Sequence, residues 1–158
     1  MQPLNIIEKY YKPGSKEHKI LVIHAAMVTK KALEIAKRIP ELKPELQFIQ
    51  EAAMLHDIGI FKTDALDIGC YGDKPYICHG YLGREVLDKE GLSKHALVCE
   101  RHTGVGISKA EIEKNKLPLP NRDLKPISIE EQIICFADCF YSKNPNTLTE
   151  EKSLKKIR

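Results

Sequence analysis

Apolar positions recur at helical spacing along most of the chain, and the breaks between them fall at glycine, proline and clustered polar residues. After Gly14-Ser15, the residues Ile20, His24, Val28, Ala32, Ile35 and Ile39 follow one another at about one turn, which is the signature of one helix face. A long amphipathic helix is therefore predicted from about Lys16 to Ile39, ended by Pro40. A second helix is predicted to start near Pro44, a residue suited to a first turn. It runs through Phe48, Ile49, Ala52, Ala53 and Leu55 to the pair His56-Asp57, and Gly59 closes it.

From Gly59 to Cys78 the chain carries Gly69, Gly72 and Pro75 with Asp64, Asp67 and Asp73, a composition that supports neither a helix nor a strand alternation, and no hairpin signal is present. A loop this long inside a compact domain is unusual and tends to be functional. Helices resume at about His79 to Lys89 and Ser93 to His102, and more weakly at Ser108 to Lys116. A connector with Pro118, Pro120 and Pro126 leads to Ser128 and Glu131, spaced as a capping box for a last helix reaching about Tyr141. The pattern predicts an all-α, compact multi-helix fold, as a single domain over residues 1–142. Residues 143–158 read as a polar tail, a place where disorder is common.

Composition narrows the class without changing this picture. At 158 residues, one core is the default. A hydrophobic content of 42% with 30% charged residues excludes an intrinsically disordered chain, and no run reaches the roughly 18 apolar residues that span a bilayer. Met1 to Lys12 lacks the basic start, apolar block and small-residue cleavage site of a secretion signal, so a cytoplasmic location is expected, with no membrane partner. Five cysteines, Cys70, Cys78, Cys99, Cys135 and Cys139, form no CxxC pair and their odd number suits reduced thiols. Cys135 and Cys139 are one turn apart among apolar residues, where core filling is the preferred reading over metal ligation. The net charge of +3 comes from well-mixed charges, so no specific nucleic-acid binding is predicted. The cluster from Lys152 to Arg158 reads as a solvated end.

The chemistry lies in residues that are costly to bury. His24, His56, His79 and His102 fall on the apolar sides of four separate predicted helices. For any one of them alone, a core histidine bonded to backbone is the better reading. Asp138, set in Ile133-Ile134-Cys135-Phe136-Ala137-Asp138-Cys139-Phe140, and Asp57, after the run Ala52 to Leu55, change that balance. Inward carboxylates are expensive unless paired or bound to a cation, and two of them with several imidazoles are most simply neutralised by a divalent metal. Mixed nitrogen and oxygen ligands suit Fe, Mn, Zn, Co or Ni better than Ca or Mg.

His24, His56-Asp57 and Asp138 resemble the H…HD…D signature of the HD superfamily of metal-dependent phosphohydrolases, and Leu55-His56-Asp57-Ile58-Gly59 resembles its HDIG form. The resemblance covers about residues 18 to 142 and extends to an uncharacterised subgroup through Glu100 to Ile107 and Leu117-Pro118. It implies an HD-domain fold and hydrolysis of a phosphomonoester or phosphodiester, in a nucleotide or other small phosphorylated molecule, by metal-activated water. His79-Gly80 and Glu100-Arg101-His102-Thr103-Gly104 resemble the extra histidines of subfamilies with two metals. The implied ligand set is His24, His56, Asp57 and Asp138 for one ion, with Asp57 bridging to a second held by His79 and His102. With a single ion, His79 and His102 instead orient phosphate or shuttle protons.

Asp57 and Lys62 are the implied catalytic residues, Lys62 also as a phosphate contact, although many HDIG sequences place lysine directly after the glycine and this chain has Ile60-Phe61-Lys62. The Gly-Tyr-Pro signature of cyclic-di-nucleotide phosphodiesterases is missing. Two other readings stand beside hydrolysis: an oxygenase with two iron atoms, as in some HD proteins, and a regulatory module that holds metal or nucleotide without turnover. Of the remaining residues, His18 and His95 are expected to be exposed, with His95 a candidate support for His102. Thr103-Gly104-Val105-Gly106 reads as a helix stop before a phosphate cradle. Arg84 and Arg101 are candidate phosphate partners without a firm role. The substrate pocket is expected to be lined by residues 59–78.

Overall fold

Ser15 opens the longest helix by accepting the His18 backbone N–H on its hydroxyl, at 3.3 Å, which satisfies one of the first-turn amides that lack an intrahelical partner. In the computed structural model, which describes all 158 residues, the α-helices run in the order α1 (Pro3–Ile7), α2 (Lys16–Arg38), α3 (Leu46–Leu55), α4 (His79–Lys89), α5 (Ser93–Arg101), α6 (Lys109–Asn115), α7 (Ile129–Asp138) and α8 (Leu154–Ile157). The domain is all-α, as the periodicity predicts, and no helix is long and apolar enough to cross a membrane. α2 lies against α3 and α7, while α4 and α5, joined at Gly91 with φ +74°, pack on each other.

The core divides into two buried clusters. One gathers around Ile7, Tyr11, Leu21, Leu55, Ile58 and Leu87, the other around Val28, Ala32, Ile49, Val98, Ile134 and Ala137. α2 feeds both, through Ile20 and Leu21 and then Val28 and Ala32, and His24 and Ala25 are the buried residues between these sets.

Several boundaries differ from those predicted. α3 begins at Leu46 because Glu45 is extended, with ψ 96°, and serves as its N-cap. It ends at Leu55, so His56 is the C-cap and Asp57 leads into the 3-10 turn Ile58–Lys62. In α7, Ser128 accepts the Glu131 N–H at 3.1 Å, but the second half of the predicted capping box is replaced. The Glu131 carboxylate instead takes the Ile127 N–H at 2.9 Å and the Arg101 guanidinium. A complete box stands at Ser108 and Glu111, at the start of α6.

The expectation of no hairpin is corrected. Strands β1 (Asp64–Ala65) and β2 (Cys70–Tyr71) pair antiparallel, Asp64 opposite Tyr71 and Ala65 opposite Cys70. They are joined by the 3-10 turn Leu66–Ile68 and Gly69, whose φ of +91° costs glycine little. Strands of two residues are too short to leave an alternation in the sequence. A further 3-10 turn, Tyr76–Cys78, leads directly into α4.

Both termini fold onto the domain. Tyr11 is buried, and its hydroxyl donates to the Ile58 carbonyl at 2.8 Å and accepts the Phe61 N–H at 3.0 Å, so the N-terminal segment buttresses the turn after Asp57. The segment read as a polar tail also packs back: the Lys152 N–H donates to the Phe140 carbonyl at 2.8 Å, and Tyr141 donates to Glu151 at 3.0 Å. Leu148 and Ile157 lean on the two clusters. All five cysteines are free thiols.

Candidate metal centre

Six side chains from five parts of the fold converge between the two apolar clusters. His24 comes from the middle of α2, His56 from the C-cap of α3, Asp57 from the residue after it, His79 from the first position of α4, His102 from the C-cap of α5 and Asp138 from the end of α7. All but His24 therefore sit at helix ends. Three of the imidazoles use that position in the same way. His56 Nδ1 lies 2.6 Å from the Ala53 carbonyl, His79 Nδ1 2.7 Å from that of Tyr76, and His102 Nδ1 2.7 Å from that of Cys99. A carbonyl only accepts, so each Nδ1 carries the proton, the ring is locked, and in the neutral ring Nε2 presents a lone pair.

Those Nε2 atoms point at Asp57 and at one another. His24 and His56 lie 3.3 and 3.1 Å from Asp57 Oδ2, and His79 and His102 lie 3.3 and 3.2 Å from Oδ1. His24 and His56 also face Asp138 Oδ1, at 2.9 and 3.3 Å, and the Nε2 atoms of His79 and His102 are 3.1 Å apart. Lone pairs facing carboxylate oxygens and each other repel unless a proton or a metal ion lies between them. Both Asp57 oxygens are buried without a hydrogen bond of good geometry, the Lys143 ammonium approaching Oδ2 as an ion pair at 2.9 Å, and such under-satisfied acceptors are costly. The donor set and its geometry thus fit a divalent cation. The ligand atoms form two groups, His24, His56, Asp57 and Asp138, and Asp57, His79 and His102, each within 4.8 Å. Asp57 belongs to both, one oxygen facing each group.

Within the cluster, imidazoles and an ammonium face the two carboxylates. Burial alone would lower the His56 pKa, but Asp57 and Asp138 outweigh it and push the value up to about 10. Burial alone would raise Asp57 and Asp138, yet His56 and Lys143 hold Asp57, and Lys143 with His24 and His56 holds Asp138, well below the usual carboxylate range. His102 moves the other way, lowered first by burial and further by the nearby His56 and His79. Lys143 Nζ stands 2.9 Å from Asp57 Oδ2 and 3.5 Å from His24 Nε2. Sequence reasoning missed Lys143 because it lies beyond the last helical period, and the only signal for it was the apolar Leu148 and Ile157 that fold its segment back.

Close approach explains the glycine of the His-Asp-Ile-Gly run. A Cβ on Gly59 would stand 2.2 Å from the His79 carbonyl oxygen and 2.4 Å from the Gly83 nitrogen, so only glycine lets the turn after Asp57 seat against α4. Cys99 fastens the same turn, its thiol 2.8 Å from the His56 carbonyl. Burial raises the Cys135 thiol to about 12, and it donates to the His102 and Gly104 carbonyls at 3.3 and 3.2 Å. It closes the end of α5, and neither it nor Cys139 joins the ligand groups.

Other sequence-predicted candidates lie elsewhere. Lys62 directs its ammonium towards Glu85, at 3.8 Å, and makes no contact with the cluster. Arg101 is committed to both Glu131 oxygens at 3.1 Å, tying α5 to α7. Arg84 and Arg122 both pair with the buried carboxylate of Glu100. His18 and His95 are half-buried rather than exposed, and His95 pairs with Glu51 at 3.0 Å instead of supporting His102. Thr103 to Gly106 form a turn closed by the Gly106 N–H on the Thr103 carbonyl, at 2.9 Å, and act as the helix stop.

Solvent reaches the cluster from one side. Asp138 is 18% accessible, whereas His24, His56 and Asp57 are sealed. Beside the cluster lies a cavity of about 550 Å³ with Lys16, Asp67, Tyr76, Lys143, Asn144 and Asn146 among its walls; none of the six converging side chains lines it, and it meets them through Lys143, next to Asp57, and Tyr76, next to His79. The loop between residues 59 and 78 thus supplies only part of the lining, and the segment after α7 supplies the rest. A larger cavity of about 650 Å³, lined by Met1, Leu33, Leu46 and Met54, contains no cluster residue.

A helical domain built around a buried histidine–aspartate cluster able to hold a divalent metal is thereby defined. The chain belongs to the HD domain family, whose model matches residues 21–142. It is 34% identical over 120 residues to a tRNA (cytidine(56)-2'-O)-methyltransferase of Picrophilus torridus, a match covering 75% of this chain and 30% of that protein. It is also 34% identical over 121 residues to an uncharacterized protein of Methanocaldococcus jannaschii, covering 75% of this chain and 64% of the relative. A tRNA (cytidine(56)-2'-O)-methyltransferase of Thermoplasma volcanium is 28% identical over 137 residues, 86% of this chain and 35% of that protein. The chain thus spans only about a third of these two methyltransferases and just under two-thirds of the Methanocaldococcus relative. No solved structure matches the chain significantly.

Proposed function

We propose that the protein is a metal-dependent phosphohydrolase acting on a phosphoester of a nucleotide or other small phosphorylated molecule, with His24, His56, Asp57, His79, His102 and Asp138 as metal ligands. The observation that carries this reading is the shared Asp57 carboxylate, one oxygen facing His24 and His56 and the other facing His79 and His102. That arrangement favours two ions over one. Fe, Mn, Zn, Co and Ni all suit such ligands. Bound there, divalent ions supply Lewis acidity, lowering the pKa of water towards neutrality and neutralising phosphoryl oxygens.

The chain's own residues do the rest. The Nδ1–H bonds to Ala53, Tyr76 and Cys99 fix the imidazole planes, and the apolar clusters on either side exclude water except at Asp138. Asp57, touching both ligand groups, is the residue on which the geometry of the centre depends. Lys62, paired with Glu85, is not assigned a catalytic role in this reading. Relatives named as tRNA-modifying enzymes carry a region like this chain, which supports a substrate of nucleotide type. Their methyltransferase activity is not transferred, since the match leaves about two-thirds of each outside it.

The test is inorganic phosphate release from nucleoside monophosphates, p-nitrophenyl phosphate and bis(p-nitrophenyl) phosphate by protein loaded with each metal in turn. Metal-dependent release that disappears in Asp57→Ala is the expected result. A protein that holds its metal and releases phosphate from none of them contradicts the reading.

A further inference from the structure

Lys143 is an ammonium held at the open side of a cluster whose other members are metal ligands. Its side chain is only 15% accessible, and its Nζ stands 2.9 Å from Asp57 Oδ2. The segment that carries it is fixed at both ends. Phe140 and Tyr141 are buried behind it, Asn144 N–H donates to Ser142 Oγ at 3.0 Å, Asn146 N–H donates to Asn144 Oδ1 at 2.9 Å, and the Lys152 N–H returns to the Phe140 carbonyl at 2.8 Å. The lysine is therefore placed by the fold. Tyr76, whose ring packs on His79 with centroids 4.6 Å apart and lies 6.0 Å from the Lys143 ammonium, lines the same cavity.

Charge decides what such a lysine is for. Lys143 pairs with Asp57 at 2.9 Å. Once a divalent ion sits among the same ligands, both carboxylates are neutralised by it, and the ammonium becomes a second positive charge beside the ion in a poorly solvated place. Like charges so close repel strongly, and an anion in the adjoining cavity removes that repulsion. Two carboxylates against an ammonium and the two divalent ions of the proposed centre leave the site at a net charge of about +3, which suits a dianion better than a monoanion. A cavity of about 550 Å³ is ample for a small phosphorylated molecule.

We propose that this cavity is the phosphate site and that Lys143 is the residue that receives the phosphoryl oxygens of a dianionic phosphomonoester, its ammonium turning from Asp57 to the ligand when metal binds. The proposal rests on the phosphohydrolase reading above and deepens it. Lys16, which also lines the cavity, is exposed and adds long-range attraction.

The experiment titrates inorganic phosphate into metal-loaded wild type, Lys143→Met and Lys143→Arg by calorimetry, with metal content and thermal unfolding measured on each. Loss of a charge-assisted hydrogen bond weakens phosphate binding by about tenfold or more, so that loss is expected in Lys143→Met at unchanged metal content, with Lys143→Arg close to wild type. Equal affinity in wild type and Lys143→Met overturns the proposal and leaves the phosphohydrolase reading standing. A wild type that holds metal but binds no phosphate at millimolar concentration overturns both.

A second measurement needs no variant. Acetylation of lysines in metal-loaded wild type, read residue by residue by mass spectrometry, is expected to show Lys143 protected several-fold when inorganic phosphate is added, with surface lysines such as Lys12 unchanged. No protection of Lys143 by phosphate overturns the proposal.

Discussion

Single residues in this domain are chosen for what they allow their neighbours to do. Gly59 shows this most sharply. Its missing side chain lets the turn after Asp57 lie on the first turn of α4, and the atoms a Cβ would meet, at 2.2 and 2.4 Å, are backbone atoms that no rotamer change can move. Gly59→Ala is expected to cost at least about 2 kcal/mol, as overpacking a rigid contact does, and to lower the unfolding midpoint by roughly 4–8 °C. Calorimetric unfolding of the variant checks this, and an unchanged midpoint contradicts the packing argument. At the same scale, the side chains that converge at the centre were legible in the sequence, because Asp57 and Asp138 are carboxylates in apolar runs and call for a compensating charge. Lys143 was not, since a lysine in a polar stretch carries no sign of burial. Nor was the pairing of Arg101 with Glu131 or of Lys62 with Glu85, because a charge does not announce its partner.

Elements matter here mainly at their ends. Periodicity located the interiors of α2, α3, α4, α5 and α7, which bury a continuous stripe. It could not show that α3 stops at Leu55 or α7 at Asp138, yet these ends are where the chain places His56, as the C-cap, and Asp138, as the last helical residue, at the centre. The short ladder between Asp64–Ala65 and Cys70–Tyr71, and the helix α1, were hidden because two to five residues are too few to show a period. Contacts between elements add a measurable pH dependence. Glu51 on α3 is partly buried, which alone would raise its pKa, but His95 of α5, Gln47 and the N-terminal ammonium lower it below its ordinary 4.5. A carboxylate with a depressed folded-state pKa stabilises above its unfolded value and loses that contribution as pH falls through the folded value. Urea unfolding between pH 6 and about 3 is therefore expected to show a shallower loss of stability for Glu51→Gln than for wild type. Identical slopes contradict this role for Glu51.

For the molecule as a whole, two apolar clusters that meet at a charged seam make sense only if the seam is neutralised. Fold class and family could be read from the chain, because helical periods and an H…HD…D order are visible along the sequence. The way the two termini close the structure could not, since Tyr11 beneath Ile58 and Lys143 beside Asp57 are contacts across 47 and 86 residues. Metal held by the folded state alone stabilises it by linkage, by about 2.7 kcal/mol at a free concentration one hundred times Kd, so a chelator should lower the midpoint by roughly 5–10 °C. The central claim, a two-ion centre sharing Asp57, is tested most directly by elemental analysis of protein purified without added metal, beside Asp57→Ala, His79→Ala and His102→Ala. The account predicts about two metal ions per chain in wild type, about one in each histidine variant and none retained in Asp57→Ala, with helical content kept throughout. One ion in wild type, unchanged by loss of either histidine, would contradict it.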